Sequence, residues 1–288
     1  MNRDFIELQS GAARARISQQ GAEWRGWSVA GRELLWEPDG VHWDRVAPIL
    51  FPVCGWTRGG VARVAGRTYP LGLHGFAMAE RFQVVEQGAD HATLRLTQSA
   101  ATLAQYPFPF TLDVDYRLVG ARMEVSALIA NTGATPMPYA FGLHPGFRWP
   151  LAGGDKGPHR LIFDAPERAQ VPVIAPGGLF SQQTRPVPLT GRTLPLNDDL
   201  FAREALCFLD AASRGLSFEG PGGRLRMEWE GLPHLVAWSR PGAPFLCLET
   251  WTGHGDPEGF AGDLFDKPSM ITLPPGGEGR HMVAYAFL

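Results

Sequence analysis

Three segments of the 288-residue sequence set an ionisable side chain in apolar or Gly/Pro-rich surroundings: Leu73-His74-Gly75-Phe76, Phe141-Gly142-Leu143-His144-Pro145-Gly146-Phe147 and Phe245-Leu246-Cys247-Leu248-Glu249-Thr250-Trp251. In the last, a strand's alternation puts Phe245, Cys247 and Glu249 on one face and Leu246, Leu248 and Thr250 on the other, so Glu249 falls where an inward residue is expected. Burial among Leu, Cys and Trp raises a carboxyl pKa and a nearby cation or hydroxyl lowers it, which is the balance a general base requires. The alternative is a strand-end glutamate facing solvent. His144 follows Tyr139-Ala140-Phe141 and precedes Pro145, which restricts it to an extended backbone at a strand end. Its imidazole titrates near neutrality, and a neighbouring carboxylate would favour the protonated form, as an acid needs. The alternative is a turn histidine satisfied by backbone carbonyls. His74 reads equally well as a loop hydrogen-bonder. His254, in a Gly-His-Gly-Asp loop, could approach a ligand, whereas His42, His91, His159, His234 and His281 have no partner pattern.

Other chemistries lack their signatures. The sequence has no G-x-S-x-G, H-E-x-x-H or G-x-x-x-x-G-K-[ST], and no G-x-G-x-x-G after a strand. The acidic series Asp256, Glu258, Asp263 and Asp266 does not match an EF-hand loop and reads as a solvated loop, so no metal and no cofactor is expected. Of nine tryptophans, Trp56, Trp149 and Trp251 lie beside the polar segments, where an indole could stack on the C–H face of a sugar ring; core packing accounts for most of the rest.

The elements that must position these residues are strands. Gly and Pro, 35 and 25 of them, chop the chain into short segments that leave little room for long helices. Leu112, Val114, Tyr116 and Leu118 share one strand face, Gly120 turns the chain, and Met123, Val125, Ala127 and Ile129 return. Phe82 to Val85 with Ala92 to Leu96, and Gly215 to Trp229 with Pro221-Gly222-Gly223 at its bend, read as further hairpins. The weakly periodic, Gly/Pro-rich stretch 152–195 is read as a long excursion over a single domain, 1–288, rather than a linker. The expected fold is all-β, a large antiparallel sandwich. With 44% hydrophobic residues the chain can bury a core without staples, and the net charge of −3, with no long run of one sign, argues against nucleic acid or membrane partners. The N-terminus lacks an apolar h-region, so a cytoplasmic location is expected. Three cysteines without C-x-x-C spacing, Cys54, Cys207 and Cys247, read as buried free thiols.

Taken together, these segments resemble the aldose 1-epimerase (galactose mutarotase-like) family, especially its shorter bacterial branch. The likeness runs through Ile17-Ser18-Gln19-Gln20-Gly21-Ala22-Glu23, Ala47-Pro48-Ile49-Leu50-Phe51-Pro52-Val53-Cys54-Gly55, Tyr69 to Ala77, Gly142 to Phe147, Asp198-Asp199-Leu200-Phe201, Leu246 to Trp251 and Leu273 to Glu278. The resemblance implies a β-sandwich whose concave face binds a monosaccharide and interconverts its α and β anomers without metal. It assigns Glu249 as general base at the C1 hydroxyl, His144 as general acid at the ring oxygen, and His74 as a second histidine near that oxygen. Asp198, or Asp199 after a one-residue shift, would hydrogen-bond sugar hydroxyls. In this branch the residue after Cys-Gly is often a sugar-binding arginine; here it is Trp56, with Arg58 the candidate replacement cation and Trp251 a stacking surface. Two rivals remain. One is a hexose-6-phosphate epimerase with Arg58, Arg63 and Arg67 as a phosphate clamp, and the other a carbohydrate-binding module without turnover, which the presence of both His144 and Glu249 opposes. A monomer or a homodimer is compatible with either.

Overall fold

The computed structural model describes residues 4–155 and 157–288. Nine antiparallel strands form the larger sheet, in the order Thr193–Leu196, His159–Phe163, Gly215–Gly220, Gly223–Glu230, Glu278–Phe287, Arg122–Asn131, Phe110–Val119, His91–Thr97 and Gln83–Gln87. The hairpin at its centre follows from alternation: Leu112 pairs with Ile129, Val114 with Ala127, Tyr116 with Val125 and Leu118 with Met123. All eight side chains are buried. Gly120, at φ +54°, makes the turn.

A second sheet carries Leu206–Phe208, His234–Trp238, Phe245–Trp251, Gly142–Leu143 and Ile49–Leu50 in that order, with Gly146–Arg148 also paired to Phe245–Trp251. Its inward side chains, among them Ile49, Leu143, Leu235, Ala237, Leu246 and Leu248, join Leu112, Val114 and Val125 of the larger sheet in one continuous apolar cluster. The two sheets thus face each other across a shared core, which is the expected all-β sandwich. The outer face of the second sheet is covered by loops and by the hairpin Gln170–Ala175/Leu179–Pro186, and the candidate site lies on that face.

The stretch 152–195 is more regular than its weak periodicity suggests. It supplies the edge strand of the nine-stranded sheet, Thr193–Leu196, and its neighbour His159–Phe163, as well as the covering hairpin. Pro172 and the register shift between Pro172 and Ile174 break the alternation that would have revealed it. The α-helix Ala100–Leu103 has four residues, and no helix among the described residues is long and apolar enough to cross a membrane. Cys54, Cys207 and Cys247 are buried free thiols.

Candidate active site

Strand Phe245–Trp251 is buried along its whole length because it is central in its sheet and covered on both sides. Leu246 and Leu248 point into the sandwich core, leaving Glu249 on the opposite face. Register then builds a row across the sheet: Cys207 pairs with Val236 and Val236 with Glu249. All three line one cavity of about 580 Å³.

His144 reaches Glu249 by the same geometry. Leu143 pairs with Thr250 and Gly146 with Cys247, so one register carried through the interruption sets His144 opposite Glu249 and Pro145 opposite Leu248. The Leu248 N–H donates to the Pro145 carbonyl at 3.1 Å, while Pro145 has no N–H to return, and the ladder opens there. His144 Nε2 lies 3.2 Å from Glu249 Oε2, at ion-pair distance but without hydrogen-bond alignment. Glu249 Oε2, His144 Nδ1 and Trp251 Nε1 are buried atoms without a hydrogen-bond partner among the described residues. Orphaned polar atoms gathered around a cavity are what a polar ligand would satisfy.

His74 approaches from a loop held in an unusual backbone conformation, φ +62°. Two hydrogen bonds to one residue fix it: its N–H donates to the Gly55 carbonyl at 2.9 Å, and its Nδ1 accepts from the Gly55 N–H at 3.0 Å. An accepting Nδ1 places the ring proton on Nε2. The His74 ring meets those of His144 and Trp251 edge to face, with centroids 5.5 and 5.6 Å apart. Trp43 stacks on His144 at 5.0 Å and Trp238 meets it edge-on at 5.7 Å.

Burial sets the electrostatics. It pushes the Glu249 carboxyl well above its ordinary range. It pushes His144 well below neutrality, helped by the adjacent His74, and takes His74 down to about 3. Desolvation thus favours the uncharged form of each group, and the Glu249–His144 contact works against it by favouring the charged pair. The Cys247 sulfur lies within 4.8 Å of His144 and Glu249 ligand atoms, a donor set suited to a soft divalent ion; burial, which raises the Cys247 thiol pKa, opposes the thiolate such an ion requires.

Of the residues singled out in the sequence, Glu249, His144, His74, Trp56 and Trp251 all line the cavity. Asp198 and Arg58 do not. Asp198 and Asp199 are exposed on the one-turn helix Asp198–Phe201, and the carboxylates that line the cavity besides Glu249 are Asp44 and Glu204. The Arg58 guanidinium donates to the Phe260 carbonyl at 3.3 Å, away from the cavity. Arg63 and Arg67 sit on the hairpin Val61–Val64/Arg67–Pro70, also outside the lining. The lining guanidinium groups are those of Arg45 and Arg240. Trp56 is 40% exposed, and its indole packs against Gly178 of the covering hairpin, which adds Ile174 and Phe180 to the wall. His254 is buried with its Nδ1 on the Gly255 carbonyl and does not line the cavity. Sequence reasoning missed Trp43, Arg45, Glu204, Trp238 and Arg240. Only Trp238 carried a signal, since it alternates with Val236 on a strand of its own.

The architecture is an antiparallel all-β sandwich with a buried carboxyl–imidazole pair lining one cavity of about 580 Å³. The aldose 1-epimerase family model matches residues 4–281, and the chain belongs to that family of isomerases. It is similar to the chromosomal protein LacX of Lactococcus lactis subsp. lactis, 32% identical over 257 residues that cover 85% of this chain and 86% of the relative. Among solved structures, a galactose mutarotase-like protein from Lactobacillus casei superimposes with a TM-score of 0.92 at 26% identity, over 99% of this chain and 100% of that one. A galactose mutarotase related enzyme from Lactobacillus acidophilus gives a TM-score of 0.89 at 26% identity, over 99% and 97%.

Proposed function

We propose that the protein is an aldose 1-epimerase that interconverts the α and β anomers of a hexose with Glu249 and His144 as its acid–base pair. The observation that carries this reading is the Glu249–His144 contact of 3.2 Å on the cavity floor. Ring opening removes a proton from the C1 hydroxyl and delivers one to the ring oxygen. Glu249 accepts the first and His144 supplies the second, so the ion pair becomes a neutral carboxylic acid and a neutral imidazole as the C1–O5 bond breaks. Burial disfavours the charged pair and therefore favours this transfer. After rotation about C1–C2, O5 attacks the other face of the aldehyde, its proton returns to His144, and Glu249 gives its proton back to O1. No covalent intermediate is needed.

The neutral His74, with its ring proton on Nε2, supports the reading as a hydrogen-bond donor to the ring oxygen. Trp56 and Trp251 offer aromatic faces for the sugar's C–H groups, and Asp44 and Glu204 offer hydroxyl acceptors in place of Asp198. Arg45 and Arg240 favour a second reading, a hexose phosphate whose anionic group reaches the rim. Saturation-transfer NMR of anomer exchange with glucose, galactose and their 6-phosphates tests both. Catalysed exchange of the neutral sugars supports the first reading, exchange confined to the phosphates supports the second, and binding without exchange would leave a carbohydrate-binding module.

A further inference from the structure

Beneath the rim of the cavity, Lys267 and Asp256 form an ion pair with side chains only 1% and 4% exposed. A buried pair of this kind is expensive to desolvate, and apolar residues of similar volume often stabilise a fold as well or better. What the carboxylate does that an apolar side chain cannot is accept hydrogen bonds from backbone that has no strand partner. Its second oxygen, Oδ2, accepts the Arg58 N–H at 2.8 Å. The Asp256 backbone extends the grip: its N–H donates to the Trp56 carbonyl at 2.8 Å, and its carbonyl accepts the Phe180 N–H at 2.9 Å. One residue thereby holds the Trp56 loop and the covering hairpin together. The loops approach so closely that a Cβ on Gly55 would come within 2.6 Å of the Gly255 nitrogen. Gly55, in turn, holds His74 at both its N–H and its Nδ1.

Resting on the acid–base reading above, we infer that Asp256 and Lys267 are positioning residues for this reaction: through the Trp56 loop they fix the Gly55 backbone that selects the Nε2–H tautomer of His74, and through Phe180 they fix the indole-bearing rim. Lys267 serves by neutralising a carboxylate that would otherwise be buried unpaired.

The experiment uses the full chain labelled with 15N-histidine, with the His74→Asn variant assigning the His74 signals. In the wild type, His74 must show a single Nε2–H tautomer; a mixed tautomer there overturns the inference whatever the activity. Lys267→Met is expected to average the two His74 tautomers and to lower kcat by about tenfold to a hundredfold, the usual cost of misplacing a reacting group by about an ångström. The variant Asp256→Asn/Lys267→Met keeps a carbonyl oxygen for the Arg58 N–H without a buried charge. It is expected to recover the wild-type tautomer and at least tenfold of any lost rate, and it serves alone if Lys267→Met fails to fold. A folded Lys267→Met with wild-type His74 signals and kcat, altered only in melting temperature, would show the pair to be merely structural. An inactive wild type with the predicted tautomer would sink the functional reading and leave the positioning network standing.

Discussion

Gly178→Ala probes Trp56 without touching it. A Cβ built on Gly178 would lie 1.9 Å from Trp56 Cδ1 and 2.6 Å from Nε1. Carbon atoms pack at about 3.5–4.0 Å, so the indole must move by roughly 1.5–2 Å. Gly178 also has φ +72°, where alanine costs about 1–2 kcal/mol, and at this chain length each 1 kcal/mol lowers Tm by about 2–4 °C. Those two effects separate cleanly. If Trp56 stacks on the sugar, a shift of this size forfeits most of a contact worth about 1–3 kcal/mol, and KM rises by roughly fivefold to a hundredfold while kcat changes little. If Trp56 only supports the loop, Tm falls and KM stays. Saturation-transfer kinetics over a range of sugar concentrations, beside thermal melts of the same preparation, measures both. An unchanged KM in a folded Gly178→Ala protein would refute the stacking role, and Trp56→Ala should then likewise leave affinity intact.

Glu249→Gln should unfold less readily than the wild type at pH 8. The folded-state pKa of Glu249 is raised by burial, so its favourable contribution is present at low pH and is lost as pH rises through that value, a loss glutamine does not suffer; urea titration at pH 8 and pH 5 should show the gain shrinking with acid. His74 and His234 are pushed down by burial to about 3 and about 4, so stability is full above about pH 6.5 and falls as the pH drops below it, by up to about 1.4 kcal/mol per pH unit for each histidine. A flat stability between pH 7 and pH 5 in Glu249→Gln, where the opposing carboxyl is gone, would contradict their burial as neutral rings. On the proposed mechanism the rate should follow a bell in pH, because Glu249 must be ionised and His144 protonated; in His144→Asn the remaining rate should lose the alkaline limb. Arg45→Ala and Arg240→Ala should weaken hexose 6-phosphate binding more than hexose binding if the anionic reading holds, as competition experiments would report.

Strands with one clean apolar face were legible in the sequence because alternation is local: Leu112 to Leu118 against Met123 to Ile129 is the plainest case. Glu249 and His144 were legible as odd residues in apolar runs. Their meeting was not, since it depends on the register between Gly142–Arg148 and Phe245–Trp251, which no local pattern encodes. Arg58 and Asp198 were placed by resemblance alone, and the structure carries them to the outside of the loops while Arg45, Arg240, Asp44 and Glu204 take the wall. Trp43 lies in the aperiodic loop before Ile49 and could not have been told from a core tryptophan. Weak periodicity in 170–186 hid the hairpin that closes over Trp56.

The central claim is that Glu249 is the base. Two-dimensional exchange NMR on the preferred sugar, with the wild type and Glu249→Gln at equal concentration, tests it most directly when sugar binding is followed on the same samples. The account predicts that anomer exchange falls by about a hundredfold to ten-thousandfold with binding retained within a few-fold; near-normal exchange in Glu249→Gln would contradict it.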